Sequence, residues 1–271
     1  MDEKSFGIIS DNLKWLESER RNQNDILAGV LAEACEIIKK DGSHPSGEEL
    51  LNLFSDIKDN SLRSACFASL CSLLFDGERS TLGGALDIKS VVYMKSRTAD
   101  EAFDAFSENL GELSASYGSN FSAICEEVYY ERADACIMPL ESTSDGLFMT
   151  FRNLLMKYEL MIAAVCRIPT EDDGFLSTAL LTSGKCDMNG NMYEIYFREM
   201  TSESLISLTL AADALNVKIS RINSTVSKYS GVYDHYVCFE VPPRCAAALE
   251  FCINTLFPSN LIIGKYKILH R

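Results

Sequence analysis

Apolar residues recur at helical spacing through the first part of the chain. Between residues 6 and 40 they return every three or four positions, which predicts one long helix. The helix is expected to end before Asp41-Gly42, because a glycine commonly follows the last helical turn. Ser46 is placed to cap a second helix, and a third is predicted over residues 61–75. The pattern predicts an N-terminal helical module over residues 1–78.

The pattern changes after residue 89, where short apolar runs alternate with amphipathic segments. Glycine-rich residues 76–89 separate the two patterns and form the best linker candidate. Alternation of strands and helices with nearly continuous apolar strands predicts a mainly parallel sheet covered on both faces. We expect this α/β lobe to span residues 88–185. Its predicted strands are 91–94, 135–140, 160–168 and 175–182, and its predicted helices are 99–116, 121–132 and 146–158.

The last part of the chain alternates again from residue 192. A strand over 192–198 precedes a helix that Thr201 can cap, and strands over 217–224 and 235–241 form a hairpin. Pro243 suits the first turn of a second helix, which runs to residue 256, and a final strand covers 261–269. This order is the ferredoxin-like βαββαβ unit, expected over residues 190–271. The predicted fold class is therefore a multidomain protein that combines α+β and α/β units, three in all.

Charge and composition narrow the classes of function. The chain has 39 acidic and 25 basic residues and a net charge of −14, so nucleic acid and anionic membrane surfaces are poor partners. The sequence shows no secretory signal and no apolar run of the roughly eighteen residues that a membrane-spanning helix needs. We expect a cytoplasmic protein.

Cysteine and histidine give no sign of a metal site. The ten cysteines are scattered, none forms a Cys-x-x-Cys motif, and most lie within apolar runs. We expect reduced, buried thiols. His44, His235 and His270 are too dispersed for a ligand cluster and are expected at the surface or in loops. Neither a metal nor a cofactor is expected.

Residues 133–146, with the sequence ADACIMPLESTSDG, resemble a signature of the prephenate dehydratases. In that family a strand ends in Pro-hydrophobic-Glu-Asn-Ser, and a glycine then opens a helix. Residues 91–98 resemble the opening strand of the family, and residues 175–183 resemble the strand that carries its Thr-Arg-Phe motif. The resemblance implies a lobe of the periplasmic-binding-protein type. It also implies that catalysis would depend on Thr98, Ser142, Thr143 and Thr178.

The chain departs from the dehydratase pattern in two respects. The motif arginine is replaced within Ser177-Thr178-Ala179, and only residues 169–174 stand where the family has a whole second lobe. A dehydratase without that lobe would have to complete its site from another subunit. The cluster around Ser142 also has a plain interpretation, in which hydroxyls and Asp145 cap a helix that begins near Gly146. Alternatively, that helix N-terminus holds an anion.

Residues 261–266, LIIGKY, resemble the last strand of the ACT domain that follows the dehydratase in these enzymes. The resemblance implies a homodimer formed through this unit and a small-molecule site. The site would lie at Ser204 and Leu205, where the family has Gly-Ala-Leu, and at Asn223 and Ser224, where it has Glu-Ser-Arg-Pro. Both motifs are altered, so selectivity for phenylalanine is not expected.

The order of the three units resembles the bifunctional chorismate mutase–prephenate dehydratases. Mutase chemistry requires cations that grip two carboxylates, and the long helix offers Arg20 and Arg21 near its middle and Lys39 and Lys40 at its end. The plain interpretation is a solvated basic pair and two cations beside a helix C-terminus. Mutase activity is therefore the less favoured enzymatic alternative.

Two classes of function follow from the sequence. One is a prephenate dehydratase-like enzyme of phenylalanine biosynthesis. The other is a non-catalytic pseudoenzyme whose ACT-like unit senses an aromatic amino acid, prephenate or another small molecule.

Overall fold

The computed structural model describes residues 23–42, 45–78, 80, 87–171, 173–184, 190–229 and 231–270. Residues 23–41 are helical and are called α1. The other helices are α2 (Gly47–Asn52), α3 (Asn60–Leu74), α4 (Arg97–Leu110), α5 (Phe121–Tyr129), α6 (Met149–Lys157), α7 (Ser202–Ala214) and α8 (Ala246–Leu256), with a 3₁₀ turn at Pro243–Cys245. The strands are β1 (Ser90–Tyr93), β2 (Ser114–Tyr117), β3 (Ala135–Ser142), β4 (Gly146–Leu147), β5 (Met161–Pro169), β6 (Phe175–Thr182), β7 (Met192–Met200), β8 (Lys218–Val226), β9 (Tyr233–Glu240) and β10 (Asn260–His270).

Most predicted helices lie where the hydrophobic pattern placed them. Ser46 caps α2 in a reciprocal capping box with Glu49, and the Thr201 side chain caps α7. The prediction of a helix over 99–116 was wrong at its end. Gly111, with φ 97°, terminates α4, and β2 follows as a strand whose residues are all exposed. None of the described helices has the length and apolar character needed to cross a membrane.

One mixed sheet runs through the lobe and the βαββαβ unit. Its strand order is β2-β1-β3-β6-β5-β10-β7-β9-β8, with β4 paired to β3. Among the strands of the described residues, only the pairs β1–β2, β1–β3 and β5–β10 are parallel, so the prediction of a mainly parallel sheet was wrong. The short connection between β5 and β6 makes them antiparallel neighbours. Within the last unit, the order β10-β7-β9-β8 is that of a split βαββαβ fold.

The helices cover the two faces of the sheet unequally. In the lobe, α4 packs on one face, and α5 and α6 pack on the other. In the βαββαβ unit, α7 and α8 pack on one face of the four strands. The opposite face of these strands turns toward α6, where Tyr236 and Tyr266 join the core beneath α5 and α6. Between the lobe and the βαββαβ unit, the helices cover only part of this second face of the sheet.

The N-terminal helices pack onto α7 and α8. Phe67 and Leu70 of α3 are fully buried in a core shared with Ile195 of β7 and Leu249 of α8. The Phe67 and Phe251 rings stack with their centres 6.3 Å apart. The division into three units at residues 78 and 190 stays a prediction. The helices share their core with the βαββαβ unit, and the sheet continues from β5 into β10.

Gly264 allows β10 to pass close to β5. A Cβ atom at this position would lie 2.7 Å from the Ile162 Cβ and 3.1 Å from its carbonyl oxygen, next to a register shift in β10.

We expect Gly264→Ala to lower the free energy of unfolding by about 1–3 kcal/mol, because the packed strands must shift. Chemical denaturation measures the loss. Gly29→Ala is the matched control, since no atom of the described residues lies within 4 Å of its new methyl group. It should be neutral or stabilising by up to about 1 kcal/mol in a helix. Equal losses in both variants would contradict the close-approach explanation.

Candidate functional site

A cavity of about 410 Å³ lies on the partly open face, between the lobe and the βαββαβ unit. This volume lies within the range of roughly 300–1,000 Å³ that is typical of small-molecule sites. The lining combines apolar, hydroxyl and charged side chains from six strands and the end of β3. They are Glu141, Val165, Arg167, Phe175, Ser177, Met192, Ser220, Arg221, Cys238, Glu240, Tyr266 and Ile268.

An ion pair between Glu141 on β3 and Arg221 on β8 spans the cavity, and we call it the clasp. These strands stand six places apart in the sheet, which in a flat sheet would separate them by about 29 Å. The sheet must therefore curve strongly for the two side chains to meet. Ser177 supports the clasp by donating a hydrogen bond from Oγ to Glu141 Oε1 at 3.1 Å.

A second ion pair lies buried beneath the clasp, between Arg152 of α6 and Glu194 of β7. Both side chains are almost completely excluded from solvent, at 1% and 0% exposure. The Tyr266 hydroxyl donates to Glu194 Oε2 at 3.2 Å, and Arg221 Nη2 lies 3.7 Å from the same oxygen. The Arg152 guanidinium also lies 5.8 Å from the centre of the Tyr236 ring. The two ion pairs therefore form one network between lobe and unit.

The environment of this network keeps the Tyr266 hydroxyl and the Cys238 thiol protonated. Burial, reinforced by the charge of Glu194, raises the pKa of Tyr266 well above its ordinary value. Burial and Glu194 raise the pKa of the Cys238 thiol to about 12, although Arg221 lies against its sulfur. Tyr266 is thus a hydrogen-bond donor at neutral pH, and Cys238 is not a thiolate nucleophile.

Arg167 supplies the cavity with a cation beside an aromatic ring. Its guanidinium carbon lies 4.6 Å from the centre of the Phe175 ring. Within the described residues, the Nε atoms of Arg152, Arg167 and Arg221 are buried and have no hydrogen-bond partner. Buried polar atoms are normally paired, so these three donors are exceptions within the network. A guanidinium is suited to hold a carboxylate through two parallel hydrogen bonds.

The four predicted catalytic residues do not form one cluster. Thr98 lies at the start of α4, with its hydroxyl 3.3 Å from the Ser96 Oγ that caps the helix. Thr178 pairs with Cys166 in register and so faces α4, away from the cavity, with its hydroxyl buried. In the described structure, no hydrogen bond joins Thr98, Ser142, Thr143 and Thr178 to one another.

Ser142 and Thr143 stabilise local turns at the end of β3. The Ser142 hydroxyl accepts from the Asp145 amide at 2.9 Å and donates to its carboxylate at 2.8 Å. Thr143 is bonded to the backbone of Phe175, accepting from its amide at 2.8 Å. The prediction that this cluster caps a helix was wrong, because Phe148 precedes α6 and no side chain caps it. The turn and β4 intervene between the hydroxyls and the helix.

The predicted ACT ligand residues are divided between two places. Ser204 lies 3.0 Å from the capping hydroxyl of Thr201, and Leu205 packs against the core beneath α7. Asn223 shares the cavity face of β8 with Arg221, and its side-chain amide nitrogen is buried without a partner among the described residues.

Ser224 points to the opposite face of β8, where its hydroxyl lies 2.8 Å from His235 Nδ1. His235 is only 3% exposed, so the prediction that it lies at the surface was wrong. The nine described cysteines are buried free thiols, as expected. His44, Arg20 and Arg21 lie outside the described residues. Lys39 donates to the Leu73 carbonyl at 2.9 Å, so this cation ties α1 to the end of α3.

Sequence reasoning missed the residues that carry most of the charge at this site. Arg167, Glu194 and Arg221 each stand within a strand segment, at positions where an ordinary half-buried strand has apolar or neutral residues. Charged side chains are rarely buried unless they are paired. That rarity was the available signal, although it does not reveal which charges meet.

Comparison with solved structures finds the same fold in prephenate dehydratases. The enzyme from Streptococcus mutans matches with a TM-score of 0.56 and 16% identity, covering 68% of this chain and 100% of that chain. The enzyme from Arthrobacter aurescens, solved in complex with L-Phe, matches with a TM-score of 0.52 and 12% identity, covering 66% and 90%. GqqA, described as a novel type of quorum-quenching acylase, matches with a TM-score of 0.53 and 15% identity, covering 66% and 94%.

At these identities the likeness establishes the fold alone. The sequence matches no protein-family model, and it matches no curated protein. The prediction of a prephenate dehydratase-like fold is confirmed.

Proposed function

We propose that this chain is a small-molecule sensor built on a prephenate dehydratase-like fold, with the clasped cavity as its binding site. The observation that carries the proposal is the Arg167 guanidinium, which lies beside the Phe175 ring in a cavity of about 410 Å³. The site joins the lobe to the βαββαβ unit, which we take to be ACT-like. A ligand bound in the cavity therefore contacts both the lobe and the βαββαβ unit, and its binding can affect both.

Geometry favours sensing over dehydration. Loss of a hydroxyl together with carboxylate is accelerated chiefly by donors that converge on the developing charge. Ser142 and Thr143 are instead engaged in turns, and Thr178 faces α4. The connection between β5 and β6 is a short turn, so no second lobe is inserted between these strands.

A thermal-shift screen against phenylalanine, tyrosine, tryptophan, prephenate and chorismate tests the proposal. We expect at least one compound to raise the unfolding midpoint, because a ligand held by the folded state stabilises it. Ile268→Trp, on the cavity floor, should abolish that shift by filling the site.

Leu261→Trp is the matched control on the same strand, because Leu261 lines a separate cavity. Loss of the shift in this control alone would move the site to that cavity. An unfolding midpoint that none of the five compounds changes would refute the sensing of aromatic amino acids and their precursors.

Prephenate dehydration is the second candidate, because three of the solved structures with this fold are prephenate dehydratases. Adding prephenate to the purified chain and measuring phenylpyruvate decides it. Formation above the uncatalysed rate, lost in a Thr143→Val variant, would establish the enzymatic alternative.

Association of two copies through the βαββαβ unit belongs to the same proposal. Strand β8 is the edge of the sheet, and an unpaired strand edge readily accepts another chain. Ile206 and Leu210 on α7 are 54% and 41% exposed, and Val226 at the end of β8 is 83% exposed. These features support a homodimer, in which the partner of the sensor is a second copy of the same chain.

A further inference from the structure

A second cavity, of about 530 Å³, lies at the opposite end of the β5–β10 pair from the clasped cavity. Its walls come from the end of α6, the starts of β5 and β10, Arg198 near the end of β7 and Asn254 on α8. The clasped cavity instead touches the later residues of both strands, such as Arg167 and Ile268. Among the described residues, the two cavities share no lining residue, so they are separate sites.

The interior of the second cavity is apolar and adaptable. Leu155, Leu160 and Ile263 line it and are at most 2% exposed. Met156 and Met161 complete this wall and are half-buried. Methionine side chains are flexible and adjust to the shape of what they contact. A lining of this kind accommodates the apolar chain of a small molecule.

Glu159, at the rim of this cavity, ends α6 in a conformation that normally belongs to glycine. Its φ is 52°, in the left-handed region, and the next amide, of Leu160, donates to the Leu155 carbonyl at 3.0 Å. This is the Schellman pattern, in which the left-handed residue is usually glycine because a Cβ is unfavourable there. The chain therefore carries a carboxylate at the rim at a cost in conformational energy.

The cation at the rim already faces an anion. Arg198 lies beside the Tyr196 hydroxyl, which donates to Asp234 Oδ2 at 2.9 Å. Asp234 Oδ1 also accepts from the Glu199 amide at 2.8 Å, and the Glu199 side chain is exposed next to Arg198. The positive charge of Arg198 is therefore offset on the βαββαβ side of the cavity.

The neighbouring cation on α6 is offset in the same way. Lys157 Nζ donates to the Tyr158 hydroxyl at 2.9 Å, and that hydroxyl donates to Glu126 Oε1 at 2.8 Å. Around the rim, the described residues thus supply four carboxylates against two cations, namely Glu126, Glu159, Glu199 and Asp234 against Lys157 and Arg198. This balance favours a positively charged ligand group over a negatively charged one.

We propose that the second cavity binds a small amphiphilic amine. The apolar chain of the amine lies against the leucine, isoleucine and methionine wall, and its ammonium group is held at the rim by Glu159. This site is additional to the sensor site proposed for the clasped cavity and does not depend on it.

Calorimetric titration with three probes of equal chain length tests the charge preference. The probes are n-octylamine, 1-octanol and octanoate. We expect octylamine to bind most tightly and octanoate most weakly, with about 2- to 5-fold between successive probes, as for a charge that stays in contact with water. From pentylamine to octylamine, each added methylene should raise the affinity about 3- to 4-fold, because it is buried in the apolar wall.

Glu131 provides a matched control for Glu159. It ends α5 with φ 57°, and the next amide, of Arg132, donates to the Glu127 carbonyl at 2.8 Å, but Glu131 does not line the cavity. Glycine suits both positions, so Glu159→Gly and Glu131→Gly should each raise the unfolding midpoint by about 1–3 °C.

Of these two variants, Glu159→Gly alone should lose the preference for octylamine over octanoate, and Glu159→Gln should lose it as well. A more stable protein that no longer distinguishes the probes cannot be explained by damage to the fold.

Two further variants assign the binding to one cavity. Leu261→Trp fills the second cavity and should abolish octylamine binding, whereas Ile268→Trp fills the clasped cavity and should leave it unchanged. The reverse pattern would overturn the proposal, because the amine would then lie in the clasped cavity. Equal binding of octanoate and octylamine, unchanged in Glu159→Gln, would also overturn it, as would the absence of octylamine binding. None of these results bears on the sensor, which the thermal-shift screen tests with other compounds.

Discussion

Replacing Arg152 with methionine is expected to lower the free energy of unfolding by about 3–5 kcal/mol. Arg152 is 1% exposed, and its partner Glu194 is fully buried. Removal of the guanidinium leaves a carboxylate without its cation inside the protein, where its partners among the described residues are the Tyr266 hydroxyl and the more distant Arg221. Urea denaturation of the variant and the original chain measures the difference.

The double variant Arg152→Met/Glu194→Leu is the control. Replacing both members of a buried ion pair with apolar residues is often neutral or stabilising, so most of the lost stability should return. The double-mutant cycle then gives a large coupling energy between the two positions. A loss below about 1 kcal/mol in the single variant, or simple additivity in the cycle, would contradict the role assigned to the pair.

Phe67→Ala is expected to cost about 3–5 kcal/mol and to leave a single unfolding transition. Phe67 is 0% exposed and lies where α3 meets α7 and α8, so the cavity left by its ring opens in a shared core. Because the described residues of α1–α3 share one core with the βαββαβ unit, both parts should lose stability together. Far-ultraviolet circular dichroism and aromatic fluorescence, followed in one denaturant series, report the two parts.

Leu73→Ala on the same helix provides the comparison. Leu73 is 39% exposed, so its truncation should cost about 1 kcal/mol or less. Two separate transitions in Phe67→Ala, with only one of them shifted, would show instead that the helices unfold as an independent module.

Hydrophobic periodicity was sufficient to predict most of the helices and strands, because an element that is buried on one face has apolar residues at a regular spacing. It failed for the direction of the strands. A strand buried on both faces, such as β6, shows no alternation of apolar and polar residues whether its neighbours are parallel or antiparallel. The connection between β5 and β6 held the missing information, because parallel strands need a crossover of about a dozen residues or more. Strand β2 was missed because Ser114–Tyr117 is an exposed edge without an apolar pattern.

The site was less accessible to sequence reasoning than the fold. Resemblance to the dehydratases directed attention to Ser142, Thr143 and Thr178, whose hydroxyls serve turns or face α4. The residues that meet across the cavity are Glu141 and Arg221, which lie on strands six places apart. Their proximity depends on curvature accumulated over the whole sheet, and no local pattern encodes it.

The parallel pairing of β5 with β10 restricts how this protein can move. Proteins that bind ligands between two lobes commonly close about a hinge, in which a few residues between rigid bodies absorb a rotation. Here the backbone hydrogen bonds of Ile162 and Ala164–Arg167 with Gly264 and Lys267–His270 join the lobe to the βαββαβ unit along a strand. Rigid-body rotation would have to break that ladder. Ligand entry is therefore expected to depend on side-chain rotation at the mouth of the cavity, with nanosecond gating in place of slow domain closure.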